Sequence, residues 1–385
     1  MSDRLYRTVR AGYMALTDCA PLIIAQELGF DLQEGIRLEP VRMNSWSGIR
    51  DGLAFEKLEC AHMPGALALA MHLGLSGMKT GIRVPLLLGH GGNGITVSTD
   101  LYEEAAAILG SAMPTTRSES GMLVRVVAEK RKANKQPRLR LGAVHAFSSL
   151  NYELRAWLAH AGLDPDVDVE LIVVPRPKMV EALAIGEIDG FSVGDPWGQL
   201  AVEAGIGRIV ATKADLYPYS PEKVLAFRSA WVEGHYEIAV KTAAVVSRAL
   251  GWAAQEENHA ELAQILTQEE YLDLPEEVLS RALDCKPKLA PDTDGEPVAR
   301  YLDFSGDNQP TTADAMWLLA QMRRWEQVKP GCEADVAEVF KPFEPIGSTV
   351  AKLEVGSKKD PAAAAFDGVD FTEGDVEAYK QAFAV

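Results

Sequence analysis

Hydrophobic and polar positions change their period several times along the first hundred residues, and each change marks an element. Residues 6–16 are rich in β-formers and predict a strand. Thr17 and Asp18 then offer side-chain oxygens for a helix start, and Pro21 falls where a first turn accepts proline. The helix predicted over 20–28 stops at Gly29. Residues 36–43 alternate again, and Asn44 with Ser45 caps a second helix over 46–55. A short strand at 60–62 leads through Pro64 into an Ala/Leu-rich helix, and 84–88 is an apolar run of strand length. This βαβαβ order predicts a mainly parallel sheet covered by helices, because parallel neighbours need a helical crossover.

The GHGGNG segment at 89–94 interrupts the pattern, which then restarts. Strands are predicted at 95–98, 139–144, 169–174 and 189–193. Helices fall between them: one from a Ser120 cap to 133, one from a Ser148 or Ser149 cap to 161, and one over 178–185. Two α/β blocks joined by glycine-containing crossovers, near 89–94 and 190–194, predict two lobes with a cleft between them. Further strands follow at 208–212 and 224–228. From Tyr236 the chain turns helical, and 238–255 and 311–326 have the 3.6-residue apolar repeat of packed helices that cover the first lobe. The expected division is 1–93 plus 193–345 for lobe I, 94–192 for lobe II, and 346–385 as a C-terminal extension along the surface.

Composition narrows the function. The 385 residues are 47% hydrophobic and 24% charged, enough apolar material for a large folded core. The formal net charge is −17, which disfavours direct contact with a nucleic-acid backbone over a broad surface. A small anionic ligand gains nothing from that field at long range, so any anion site must gather its donors locally. Cys19, Cys60, Cys285 and Cys332 have no CxxC spacing and read as separate reduced thiols, not metal ligands. The N-terminal segment lacks an uninterrupted apolar core and a small-residue cleavage site, and no apolar run is long enough for a bilayer. A cytoplasmic protein without a membrane span is therefore expected, and no cofactor or metal is implied.

No catalytic constellation stands out: GxSxG, HExxH, a Walker A loop and a strand-linked GxGxxG are all missing, so a binding protein is expected, not an enzyme. Several strings match one family as a set and in order: TDCAPLIIAQELGF at 17–30, NSWSGIRDGL at 44–53, NGITVS at 93–98, GFSVGDPWGQL at 190–200 and SPEKVLAFRSAW at 220–231. Together they resemble the nitrate- and bicarbonate-binding receptors of ABC transporters over about residues 5–345. With no export signal in view, the resemblance points to the cytoplasmic NasS-type sensors. It implies an α/β, two-lobed periplasmic-binding-protein-like (type II) fold with extra C-terminal helices. It also implies nitrate or nitrite as ligand, and a NasT-type RNA-binding antiterminator as partner in controlling nitrate-assimilation genes. The other reading the resemblance allows is the substrate-binding component of a nitrate transporter.

Site residues carry over where the strings match. Trp46 falls on the family's cleft tryptophan, although an aromatic at a helix start also serves as core. Asn93 stands where nitrate-binding relatives place a glutamine; its shorter amide reaches an anion directly or through water, or simply serves a glycine turn. His145, after a strand and before a helix, resembles the cleft histidine, and a helix start favours negative charge. Lys223 matches the lysine opposite the anion. The bicarbonate-binding branch carries an acidic residue there and uses calcium, so nitrate or nitrite is the implied ligand. From the residues themselves, Gly194 lets backbone N–H groups approach a ligand, and Asp195 and Pro196 suit a helix start. Trp197 walls the cleft or packs between lobes. Ser45 and Arg50 are weaker candidates, Arg50 reading equally as a surface or inter-lobe salt bridge. The expected ligand set is thus Trp46, Asn93, His145, Gly194 and Lys223, with donors from both lobes favouring a closed state when the anion binds.

Overall fold

The computed structural model describes residues 6–306, 308–344, 360–369, 371 and 375–383. Its strands are β1 (Arg7–Met14), β2 (Ile36–Met43), β3 (Cys60–Pro64), β4 (Ile82–Leu87), β5 (His90–Gly91), β6 (Asn93–Ser98), β7 (Leu139–Ala143), β8 (Val169–Val173), β9 (Gly190–Gly194), β10 (Gly207–Thr212), β11 (Lys223–Arg228) and β12 (Leu302–Asp303). They form two five-stranded sheets, ordered β2-β1-β3-β11-β4 and β10-β6-β9-β7-β8, and a two-stranded β12-β5 ribbon. Each large sheet is the centre of one lobe of a two-lobed α/β fold.

Strand direction decides where the chemistry collects. In the first sheet β1 runs parallel to β2 and β3, while β11 runs antiparallel to β3, with Lys223 opposite Pro64 and Leu225 opposite His62. The start of β11 therefore lies beside the ends of β1 and β3. In the second sheet β7 is parallel to β8 and β9, and β6 is antiparallel to β9, with Asn93 opposite Gly194. The ends of β7, β8 and β9 thus share one edge with the start of β6. In open α/β sheets ligands sit outside the carboxyl ends of the parallel strands.

The lobe boundary differs from the expected one. β10 pairs antiparallel with β6, from Gly207 opposite Ser98 to Thr212 opposite Gly94, so it belongs to the second lobe. The chain returns to the first sheet only between Thr212 and Lys223, not near 190–194. The glycine and proline signals at 194–196 mark the turn from β9 into the Trp197–Glu203 helix instead. At the other crossing, GHGGNG is not a loose break: His90 and Gly91 pair with Asp303 and Leu302. Gly91 has φ +78°, and a side chain there would run into the backbone oxygens of Tyr301 and Arg300, so only glycine fits.

Helices pack where their apolar faces require. The Tyr236–Ala253 helix lies on the Ala20–Glu27 helix, both in one apolar cluster with Val9, Ala11 and Phe227. The Thr312–Arg324 helix, opened by a Thr311/Asp314 capping box, packs on the Gly65–Leu73 helix. The expected extension at 346–385 falls partly outside the described residues. Within it, Phe371 and Tyr379 make edge-on contacts with Trp317, and Phe366 contacts Tyr217. A helix missed in the sequence, Thr99–Leu109, is capped by Ser98, whose side chain accepts from the Leu101 N–H. Among the described residues no helix is long and apolar enough to cross a membrane.

Candidate functional site

Where the two strand edges face each other, charged side chains are buried together. Asp18 follows β1, His62 is on β3, and Lys223 opens β11; all are almost completely buried. The Asp18 carboxylate meets His62 Nε2 at 2.8 Å and Lys223 Nζ at 3.1 Å, and Lys223 Nζ donates to Glu222 Oε1 at 2.6 Å. A second set continues from the other lobe. Lys213 Nζ, just past β10, donates to Glu153 Oε1 at 2.7 Å and Ser220 Oγ at 2.6 Å, and lies 3.5 Å from Glu222 Oε2. Asn93 Nδ2 donates to Glu153 Oε2 at 3.1 Å. Glu153 and Glu222 thus tie the lobes into one polar network.

The electrostatics follow from burial set against pairing. Burial opposes the charge on Asp18, but Lys223 and His62 outweigh it and hold the carboxyl down at about 2. Burial likewise works against the Lys223 ammonium; Asp18 and Glu222 reverse the effect and raise its pKa. His62 is pushed down by burial in spite of Asp18. Glu153 is pushed up by burial, while Glu222 is held low by the two lysines against burial. Three carboxylates therefore surround two ammonium groups, and the lysines are matched by charge within the protein.

The sequence-predicted residues divide. Trp46 is buried at the start of the Trp46–Ala54 helix, whose Ser45 cap accepts from the Gly48 N–H. Its ring centroid lies 5.7 Å from that of His62 and 5.8 Å from Lys223 Nζ. Asn93 joins the network through Glu153, and Gly194 is its strand partner, with Leu16 of the other lobe packed against the Gly194 backbone. His145 stands apart from the network. Its Nδ1 accepts from the Phe147 N–H at 3.1 Å, and burial followed by Arg50 pushes its pKa down to about 4. Arg50 itself pairs with Asp51 at 2.8 Å. The imidazole in contact with the lysine's carboxylate is His62, which the sequence did not single out.

Asp18, Glu153, Lys213 and Glu222 were also missed, because a lone charged residue in a sequence ordinarily denotes an exposed side chain. Asp195 takes a supporting role. Thr17 Oγ1, Gln199 Nε2 and Tyr301 Oη each donate to its carboxylate at 2.7 Å, and burial still pushes its pKa up to about 6. The Thr17 contacts, including Thr17 N–H to Asp195 O at 3.1 Å, hold the end of β1 against the end of β9. All four cysteines are unpaired. Surface cavities of about 510 Å³ beside β2 and about 470 Å³ beside the Gly121–Ala133 helix lie away from this network.

Two sheets facing each other across a buried polar network define a two-lobed binding-protein architecture. The fold is that of the crystal structure of the periplasmic nitrate-binding protein NrtA from Synechocystis, with a TM-score of 0.84, 23% identity and 99% of each chain covered. In sequence the chain is 31% identical to the bicarbonate transport ATP-binding protein CmpC of Synechococcus elongatus over 96% of its own length and 53% of that protein. It is 28% identical to the nitrate/nitrite binding protein NrtA of Synechococcus elongatus, covering 96% of this chain and 85% of that one. The chain spans about half the length of the transport ATP-binding proteins it matches. Residues 5–267 match the NMT1-like family, and the chain belongs to that family.

Proposed function

We propose that this chain binds nitrate or nitrite between its lobes and acts as a NasS-type sensor, holding a NasT-type RNA-binding antiterminator when the anion is absent and releasing it when the anion binds. The observation that carries the ligand reading is the buried polar chain that links Lys223, beside Trp46 and His62, through Glu222, Lys213 and Glu153 to Asn93 of the other lobe. Nitrate is planar, singly charged and weakly hydrated, so a few charge-assisted donors and an aromatic wall suffice to hold it. Lys223 puts an ammonium group between the carboxylates of Asp18 and Glu222, and its charge disfavours a divalent cation there. The net charge of −17 suits a basic, RNA-binding partner.

A second reading, a receptor component of a nitrate transporter, draws on the names of the relatives. Calorimetric titration with nitrate, nitrite, and bicarbonate with and without calcium tests the ligand. Nitrate or nitrite is expected to bind and bicarbonate to fail; binding only by bicarbonate with calcium would overturn the assignment. Co-purification with the antiterminator, reversed by nitrate or nitrite, separates sensor from transporter component. A partner that ignores the anion would leave the transporter reading standing.

A further inference from the structure

Lys223 and Lys213 are already matched by carboxylates, so an entering anion needs another source of positive charge. One buried cation on the facing edge has none. Arg176 lies three residues past the end of β8, at the same edge of the second sheet as His145 and Gly194, and is 6% exposed. Its Nε and one of its terminal nitrogens are buried without a hydrogen-bond partner among the described residues. Its guanidinium carbon lies 5.5 Å from the ring centroid of Trp197, whose indole N–H is likewise buried and unpartnered. Asp18, Cys19 and Arg42 of the first lobe act on its charge, and it acts on His62, so the group sits between the lobes. Asp18 is shared with His62 and Lys223 and forms no ion pair with Arg176 among the described residues.

Unmet donors on a buried guanidinium are costly, and folded proteins rarely leave them so. Three buried donor nitrogens without a hydrogen-bond partner among the described residues, two of Arg176 and one of Trp197, are what an oxyanion satisfies. We infer that Arg176, with the Trp197 indole N–H, is the second-lobe contact for the bound oxyanion and supplies the charge that the compensated lysines do not. This rests on the anion-binding reading proposed above. An anion that accepts from Arg176 and also contacts the first lobe would favour the closed arrangement by its differential affinity for it.

The test is calorimetric titration of the full chain with sodium nitrate and sodium nitrite, for the wild type and for R176M, R176K and W197F, with thermal unfolding of each protein alone and with anion. R176M is expected to lose affinity about 10- to 100-fold, the range for a charged buried hydrogen bond, and to lose the anion-induced rise in melting temperature. R176K should recover part of the affinity, and W197F should bind several-fold more weakly. The anion-free melting temperature of R176M should hold or rise, since two of the buried guanidinium nitrogens have no hydrogen-bond partner among the described residues. A wild type that binds with R176M within twofold of it overturns this inference and leaves the anion reading intact. A wild type that binds neither anion overturns both. A fall in the anion-free melting temperature of R176M, restored in R176K, would make Arg176 a structural cation and also overturn the inference.

Discussion

Replacing Lys223 by methionine tests whether the buried network is one electrostatic unit. The side chain keeps its volume and loses its charge, leaving Asp18 with only His62 and Glu222 with Lys213 at 3.5 Å. Removing one partner of a buried ion pair typically costs about 3–5 kcal/mol. The depressed carboxyl gives an independent scale: holding Asp18 at about 2 against an ordinary 3.8 corresponds to about 2.5 kcal/mol at neutral pH. That contribution is present above pH 3.8 and is lost as pH falls through 2. In K223M its sign reverses, because burial then dominates and raises the Asp18 pKa; stability returns as pH falls through the raised value. Urea unfolding at pH 7 should therefore show K223M about 3–5 kcal/mol below wild type, with a smaller gap at pH 5. Adding D18N and E222Q to K223M should recover much of the loss, since no buried carboxylate is then left uncompensated. A gap under about 1 kcal/mol, or one equal at the two pH values, would refute the network as described.

Other consequences follow from single contacts. Asp195, with its pKa raised to about 6, favours the fold when protonated, a contribution complete below pH 3.8 and lost as pH rises through 6, worth about 3 kcal/mol. D195N should flatten the stability–pH curve between pH 4 and 6, and an unchanged slope in urea unfolding would disprove that assignment. G91A should cost more than about 2 kcal/mol through its positive φ and the clash with Tyr301, measured as a drop in urea midpoint; a neutral effect would mean the β5–β12 ribbon is dispensable. Y379A removes a buried ring packed on Trp317 and Phe371 and should cost about 3 kcal/mol with a red-shifted tryptophan emission. Wild-type stability in that variant would show that the C-terminal segment is not part of the core.

The period changes in the sequence located most strands, because an apolar alternation or run of five to eight residues admits few other structures. β2 was expected at 36–43 and is found there. The lobe boundary was misread because glycine and proline mark any sharp turn, and the pairing that keeps β10 with β6 joins residues about a hundred positions apart. Candidate site residues were legible only where a string matched a known family, and of these Trp46, Asn93 and Lys223 lie at the buried network. Charged partners carry no such mark: Glu153 sits in a helix and Lys213 after a strand, and each alone reads as a solvated side chain. Direction supplies what spacing lacks. Once β1, β3, β7, β8, β9 and β10 are known to point their carboxyl ends at one gap, and β6 and β11 their starts, the polar residues next to those ends become the candidate list. Asp18, His62, His145, Arg176, Asp195, Lys213, Glu222, Lys223 and Asn93 all fall on it. Of these, the resemblance reached Asn93, His145 and Lys223. The topology adds Arg176, a buried cation with two nitrogens that have no hydrogen-bond partner among the described residues.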